Sequence, residues 1–307
     1  MSNKNLQKRW AENKNTNNAL INLLNGIQIG MVIQNTHSPF ESINGKIDLR
    51  GITCVVTKIS SCSAVNIDFS YSVFDRTWIE KSKFSDCLFS NVDFSDISDH
   101  GNVFQRCTFT ECRFNAAAIG YEGSKYISCN FNKCRFDKTS FIRPEFTDIV
   151  FNQCRIRNVD FNASSFEDCV FKGQLHDVWF RGSFPSKTQV DNFGQPKVNL
   201  MRNVSFEELD FHNLTFSDNC NLSSVKIKEG INYFKFDKWS KRIESLRQHI
   251  GYAELLNDEM REIESFMNIF SVHAKNQDWY ILNQDDIQRD YGKNATTLIF
   301  RYLNDFK

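Results

Sequence analysis

The stretch Ser82-Lys83-Phe84-Ser85-Asp86-Cys87-Leu88-Phe89-Ser90-Asn91-Val92-Asp93-Phe94-Ser95-Asp96 puts a phenylalanine at every fifth position and a small or modest residue two places before it. The spacing continues in both directions. One ladder runs from Leu49 through Cys54, Ile59, Ala64, Phe69, Phe74, Ile79, Phe84, Phe89, Phe94, Asp99, Phe104, Phe109 and Phe114 to Ile119. After a step of seven, a second runs from Tyr126 through Phe131, Phe136, Phe141, Phe146, Phe151, Ile156, Phe161 and Phe166 to Phe171, and its register returns at Phe206, Phe211 and Phe216. Nineteen of the 29 phenylalanines lie on these 28 positions. A fixed short period of this kind marks a solenoid.

Five matches neither the 3.6 of a helix nor the 2.0 of a long strand, so the chain must turn once per repeat. With two side chains in and three out, the repeats enclose a tube filled by rings, and small residues such as Cys87, Val92, Cys107, Cys112, Ala117, Cys129, Cys134, Cys154, Val159 and Cys169 pack beside them. Each buried Phe contributes roughly 1.5–3 kcal/mol, so such a tube needs no crosslinks.

Over residues 47 to 223 this pattern resembles the pentapeptide-repeat family. The resemblance implies a mainly β fold, a right-handed quadrilateral β-helix with four repeats per coil, followed here by an α-helical C-terminal region. Twenty-eight repeats would make about seven coils and a rod of ~34 Å at the usual strand spacing. The expected structural core is Phe84, Phe89, Phe94, Phe104, Phe109, Phe114, Phe131, Phe136, Phe141, Phe146, Phe151, Phe161, Phe166 and Phe171.

The repeat absorbs most candidate chemistry. Nine of the ten cysteines fall in the small inward slot and Cys54 in the large one, which makes them core thiols rather than a disulfide framework or zinc site. The histidines, His37, His100, His176, His212, His249 and His273, form no metal-binding or triad pattern. Asp99 occupies a large inward slot beside His100, read as a local bulge. Gly45-Lys46 and Gly292-Lys293 lack the rest of a phosphate loop. No catalytic residue, cofactor or metal is expected, and the protein reads as not an enzyme; in the C-terminal part His249, Glu254, His273 and Asp278 select no reaction.

The ladder breaks at residues 172 to 203. The break holds Trp179, Phe180, Phe184 and Phe193 among glycines and prolines, and two readings stand: degenerate coils that fill the tube, or a projecting loop that touches a partner. Residues 1 to 46 read as a mobile tail, 1 to 18, with a short capping helix over Ala19 to Ile29. From 226 to 307 helical spacing takes over, with Trp239, Ile243, Leu246 and Ile250, then Leu255, Leu256, Met260, Ile263, Phe266, Met267 and Phe270, and a last helix over Thr296 to Phe306.

The 37 basic and 37 acidic residues balance overall, and the rod region carries 20 and 22. Direct nucleic-acid binding is therefore not expected, and no apolar run is long enough to span a membrane. The default location is cytoplasmic. The reading is a binding scaffold for a protein partner, with homodimerisation through the C-terminal helices as one option. The family resemblance adds a topoisomerase (gyrase)-interacting protein acting by DNA mimicry, which the near-neutral rod disfavours as a whole-surface mechanism. It also adds a secreted bacterial effector.

Overall fold

The computed structural model describes residues 3–34, 37–228, 230, 232–250, 257–274 and 276–306. Residues 32 to 227 wind into a parallel β-solenoid. One face stacks short strands at Val32–Ile33, Ser63–Val65, Lys83–Ser85, Val103–Gln105, Lys125–Ile127, Glu145–Thr147 and Ser165–Glu167. The next face starts at Ile47–Asp48 and ends at Lys226–Ile227. A third is joined by single bridges from Thr53 through Val73, Asp93, Arg113 and Arg135 to Arg155, and the fourth starts at Lys58–Ser60. Phe84 pairs with Phe104 one coil on, and Phe104 with Tyr126 across the two inserted residues. Four sides, a five-residue side and stacked coils are the architecture of the pentapeptide-repeat β-helix.

The turn in each repeat has a local cause. The residue two after the inward ring adopts the left-handed conformation, as at Arg76, Lys81, Asp86, Asn91 and Asp96 with φ between +47° and +56°. For a residue with a Cβ this costs on the order of 1–2 kcal/mol, which the adjacent buried ring offsets. Rings on successive coils stack: Phe109 lies 4.8 Å from Phe89 and 4.6 Å from Phe131, nearly parallel to both. All fourteen core phenylalanines named above are buried.

A polar side chain in the small slot gains more than packing. It reaches the backbone carbonyl of the coil below: Cys112 Sγ donates to Phe89 O (3.2 Å), Cys154 Sγ to Phe131 O (3.3 Å) and Thr139 Oγ1 to Phe114 O (2.7 Å). Cysteine is both a small hydrophobe and a donor, which explains its frequency there. All ten cysteines are buried and free. Burial pushes the Cys54, Cys62 and Cys169 thiols up to about 12.

Asp99 fills its large slot and is fully buried. Asn102 from its own coil and three groups around the insertion donate to it: Asn102 Nδ2 (2.5 Å) and Ser124 Oγ (2.8 Å) to Oδ1, Gly120 N (3.1 Å) and Tyr126 Oη (3.0 Å) to Oδ2. The bulge lies one coil above it, between Ala118 and Tyr121. His100 points outward instead, its ring between those of Trp78 and Tyr121.

The rod is longer than the repeat count implied. Among the described residues the second face carries nine strands rather than about seven, about 43 Å on the same ~4.8 Å per coil. The two-helix N-terminal segment also differs from a mobile tail. Helices α1 (Asn3–Lys8) and α2 (Lys14–Gln28) cover the first coil, with Leu6 and Trp10 buried and Arg9 gripping Asp48 at 2.7 and 2.8 Å.

The break is shorter than the sequence suggested. Strand Val170–Arg181 runs through its first third, paired with Ile156–Asn162 below and Ser205–Ser217 above. The ladder contracts by one residue, from Phe171 to Leu175, then resumes at Phe180, which stacks on Phe161 and Phe216. The true excursion, 182 to 200, carries helix α3 (Lys187–Phe193), whose N-cap Ser186 accepts from Gln189 N.

A helical cover closes the far end. Helices α4 (Trp239–Ile250), α5 (Asn257–Ala274), α6 (Gln284–Tyr291) and α7 (Lys293–Asp305) surround an antiparallel pair, Tyr233–Phe236 with Tyr280–Asn283, that the helical spacing did not announce. Trp239, Ile243, Leu246, Ile250, Ile263, Phe266 and Met267 are buried, with Met260 and Phe270 partly so; Leu255, Leu256 and Glu254 lie outside the described residues. Tyr233 packs on Phe211 and Tyr280 edge-on to Phe216, so the last rings of the tube are covered. Among the described residues no helix is long and apolar enough to cross a membrane.

Candidate binding face and cleft

The third face is set by outward residues that the bridges bring one above another. Arg113, Arg135 and Arg155 occupy successive coils of one column, so their Cα atoms rise by ~4.8 Å per step. Asp75 is held by Arg76 (3.0 Å), Asp93 by Arg113 (2.6 Å) and Asp137 by Arg155 (2.8 Å), while Asp96 and Glu111 stand exposed at the corners of lower coils. Among the described residues the exposed side chains of Lys133, Arg135, Lys138 and Arg157 make no hydrogen bond or salt bridge. The coil of Lys133, Arg135 and Lys138 thus presents three cations beside one carboxylate, Asp137, which Arg155 holds.

A cleft of about 510 Å³ opens at the upper end of this column, between Gln153, Arg155, Arg157, Gly173, Gln174 and His176. Its cause is the contraction at Gly173. The lower coil takes four steps from Asn152 to Ile156, with a left-handed corner at Gln153; the upper takes three from Lys172 to Leu175, the paired residues. The upper chain cuts the corner that the lower one makes, and the wall recedes. Gly173 has φ +104°, and a Cβ there would meet Gln153 Cα at 3.1 Å, so only glycine takes this path without strain.

Above Arg157 stand His176 and then His212, their rings 6.0 Å apart. His176 Nδ1 meets Asp177 Oδ2 at 2.6 Å, and Asn213 Nδ2 donates to Asp177 Oδ1 at 2.8 Å. Burial works to raise the Asp177 carboxyl, but Asn213, His176 and the field of Arg157 together hold it below the usual range. His212 Nδ1 lies 3.0 Å from Asp286 Oδ1, and Asn213 N donates to Asp286 Oδ2, which ties α6 to the rod.

The four aromatics expected as a partner loop do not come together. Phe180 is core. Trp179 is half-buried, donating to Ser217 Oγ at 2.8 Å beneath the Arg181 guanidinium, 3.4 Å from its ring. Phe184 is buried against Phe193, and Phe193 lies edge-on to Tyr121. Arg143 Nη1 donates to Gln195 O, so the excursion folds back along the fourth face instead of projecting. His249 lies against Tyr302 and His273 against Trp179, and the two do not meet Asp278 in a site. No group of three or more His, Cys, Asp or Glu among the described residues could hold a metal ion.

The arginine column and the cleft were missed in the sequence. Their signals were Arg113, Arg135 and Arg155 at spacings of 22 and 20 residues, one coil with and one without the insertion, and the lone glycine in a small slot.

No protein-family model matches the chain, and no curated protein matches it. Among solved structures, a trypsin-treated form of QnrB1, a plasmid-mediated fluoroquinolone resistance protein, is 15% identical with a TM-score of 0.42, covering 59% of this chain and 89% of that one. Full-length QnrB1 is 13% identical with a TM-score of 0.29, covering 55% and 91%. A pentapeptide repeat protein, Rfr23, from the cyanobacterium Cyanothece 51142 is 8% identical with a TM-score of 0.26, covering 52% and 91%.

Proposed function

We propose that this chain is a non-enzymatic binding scaffold, a stiff rod that engages a protein partner through its arginine-bearing third face. The observation that carries this reading is the contrast between a tube filled with stacked rings and an outer face where Lys133, Arg135 and Lys138 stand exposed and unpaired on one coil. Side chains on a preorganised surface lose little freedom on binding. Their charge favours an acidic partner surface and steers its approach. A stand-in for duplex DNA would need the opposite sign on the face it presents.

Affinity capture from the source cell, with the wild-type chain and with Lys133→Glu/Arg135→Glu, tests the reading. One partner recovered by the wild type and lost with the double variant supports it. The same partners recovered by both overturn the assignment to this face.

Pairing of two copies through the C-terminal helices has one observation in its favour, the exposed Ile269 and Val272 on α5. Sedimentation of the full chain as a dimer that Ile269→Glu/Val272→Glu converts to monomer would support it, and a monomer throughout would end it.

A further inference from the structure

We propose that the cleft under the cut corner at Gly173 is a phosphate-binding site that takes the phosphoryl group of a small organic phosphate. This goes beyond the scaffold reading, which rests on Lys133 and Arg135 one coil below.

Arg155 and Arg157 flank the inward Ile156 in extended chain, so both leave the rod on the same face; residues two apart in extended chain are ~6.6 Å apart, a span two guanidinium forks can close around one tetrahedral anion. Arg155 is held by Asp137 through Nε alone, at 2.8 Å. Among the described residues no hydrogen bond engages its two Nη groups, so one ion pair orients the fork while its binding edge stays open. Among the described residues the Arg157 side chain makes no hydrogen bond, and its charge acts on Asp177 only through space. Of the carboxylates around the cleft, Glu208 is paired with Lys172 at 2.7 Å and Asp210 with Lys228 at 3.0 Å, Asp137 takes only the Nε edge of Arg155, and Asp177, bonded to His176 and Asn213, feels the Arg157 charge without a hydrogen bond to it.

The remaining rim suits the rest of such a ligand. The exposed side-chain amides of Gln153 and Gln174 add donors and acceptors of the kind that hold hydroxyl groups. At about 510 Å³ the cleft is larger than a bare phosphate requires and lies within the ~300–1,000 Å³ of small-molecule sites. The missing Cβ at Gly173 keeps it open.

Calorimetric titration of the full chain with inorganic phosphate, glucose 6-phosphate and AMP tests the proposal, with glucose, adenosine and a hexaglutamate peptide as comparators. The expected result is that the two organic phosphates bind more tightly than inorganic phosphate, and that glucose and adenosine do not bind. Arg157→Gln and Arg155→Gln should each weaken binding about tenfold or more, the loss of one charge-assisted hydrogen bond. Arg106→Gln, on another edge and also ion-paired, should leave it unchanged. All three positions are exposed, and unchanged circular dichroism checks that the variants fold. Absence of phosphate binding, binding indifferent to both cleft arginines, or hexaglutamate binding more tightly than the phosphates with the same arginine dependence would each overturn it.

Discussion

Replacing Asp99 by leucine restores the apolar ladder and should nevertheless destabilise the rod. The carboxylate takes four donors: the Asn102 amide, the Ser124 hydroxyl, the Gly120 N–H and the Tyr126 hydroxyl. None reaches water, because Asp99, Asn102, Ser124 and Tyr126 are all buried. Orphaning four buried donors at ~1.5 kcal/mol each costs about 6 kcal/mol, and burying the leucine side chain returns about 2, so Asp99→Leu should lose roughly 4 kcal/mol. Equilibrium urea unfolding measures this, and amide exchange over residues 97 to 126 shows whether the loss is local. A variant as stable as the wild type would refute the argument that the network, rather than ladder continuity, holds this coil. The pH dependence has a definite sign. Burial raises the Asp99 carboxyl above its usual range, against the pull of Asn102, Ser124, Tyr126 and Gly120. The folded chain therefore binds that proton more tightly than the unfolded one. This contribution to stability is complete below the unfolded value of ~3.9 and is lost as pH rises through the raised folded value; Asp99→Asn should abolish it.

Phe109→Ala should cost about 3–5 kcal/mol, since a fully buried ring stacked on two others leaves a cavity; an unchanged urea midpoint would place Phe109 outside the tube. Gly173→Ala should lower stability by roughly 1–3 kcal/mol, because alanine is strained at φ +104°, and thermal unfolding reads the loss. At the other end, burial opposes the Asp48 charge, but Arg9 and Arg50 hold its carboxyl far below the usual range. Its contribution is therefore present above the unfolded value of ~3.9 and lost only as pH falls through the much lower folded one. Arg9→Ala should release α1 at neutral pH, seen as proteolytic cleavage near residues 9 to 13 that the wild type resists.

The tube was legible because its selection rule acts on side-chain size at a fixed period, and Phe84 to Phe171 obey it without help from distant parts of the chain. The contraction at Gly173 was not. A step of four from Phe171 to Leu175 looks like the end of a ladder unless the coil below is known, so the sequence leaves Trp179 and Phe180 open between tube-filling coils and a loop. Phe180 belongs to the core, and only Phe184 and Phe193 lie in the true excursion. Helix α1 was hidden for a different reason: Asn- and Lys-rich composition describes the exposed side of the N-terminal segment, whereas Leu6 and Trp10 make its buried apolar contact. Asp99 was visible as a violation, but its explanation needed the donors that the insertion at 120 to 125 supplies. The cationic face depends on which outward residues fall one above another, and that is fixed by the 22- and 20-residue coils rather than by any local motif.

The inward phase of the repeat is the premise of every statement above, and the cysteines report on it directly, because all ten sit in inward slots. Titration of the full chain with an aromatic disulfide reagent should find no reactive thiol in the native protein and ten after denaturation without reductant. A thiol that reacts at once in the native chain would place its slot on the surface, and fewer than ten in denaturant would mean crosslinks where the account puts free, hydrogen-bonded side chains.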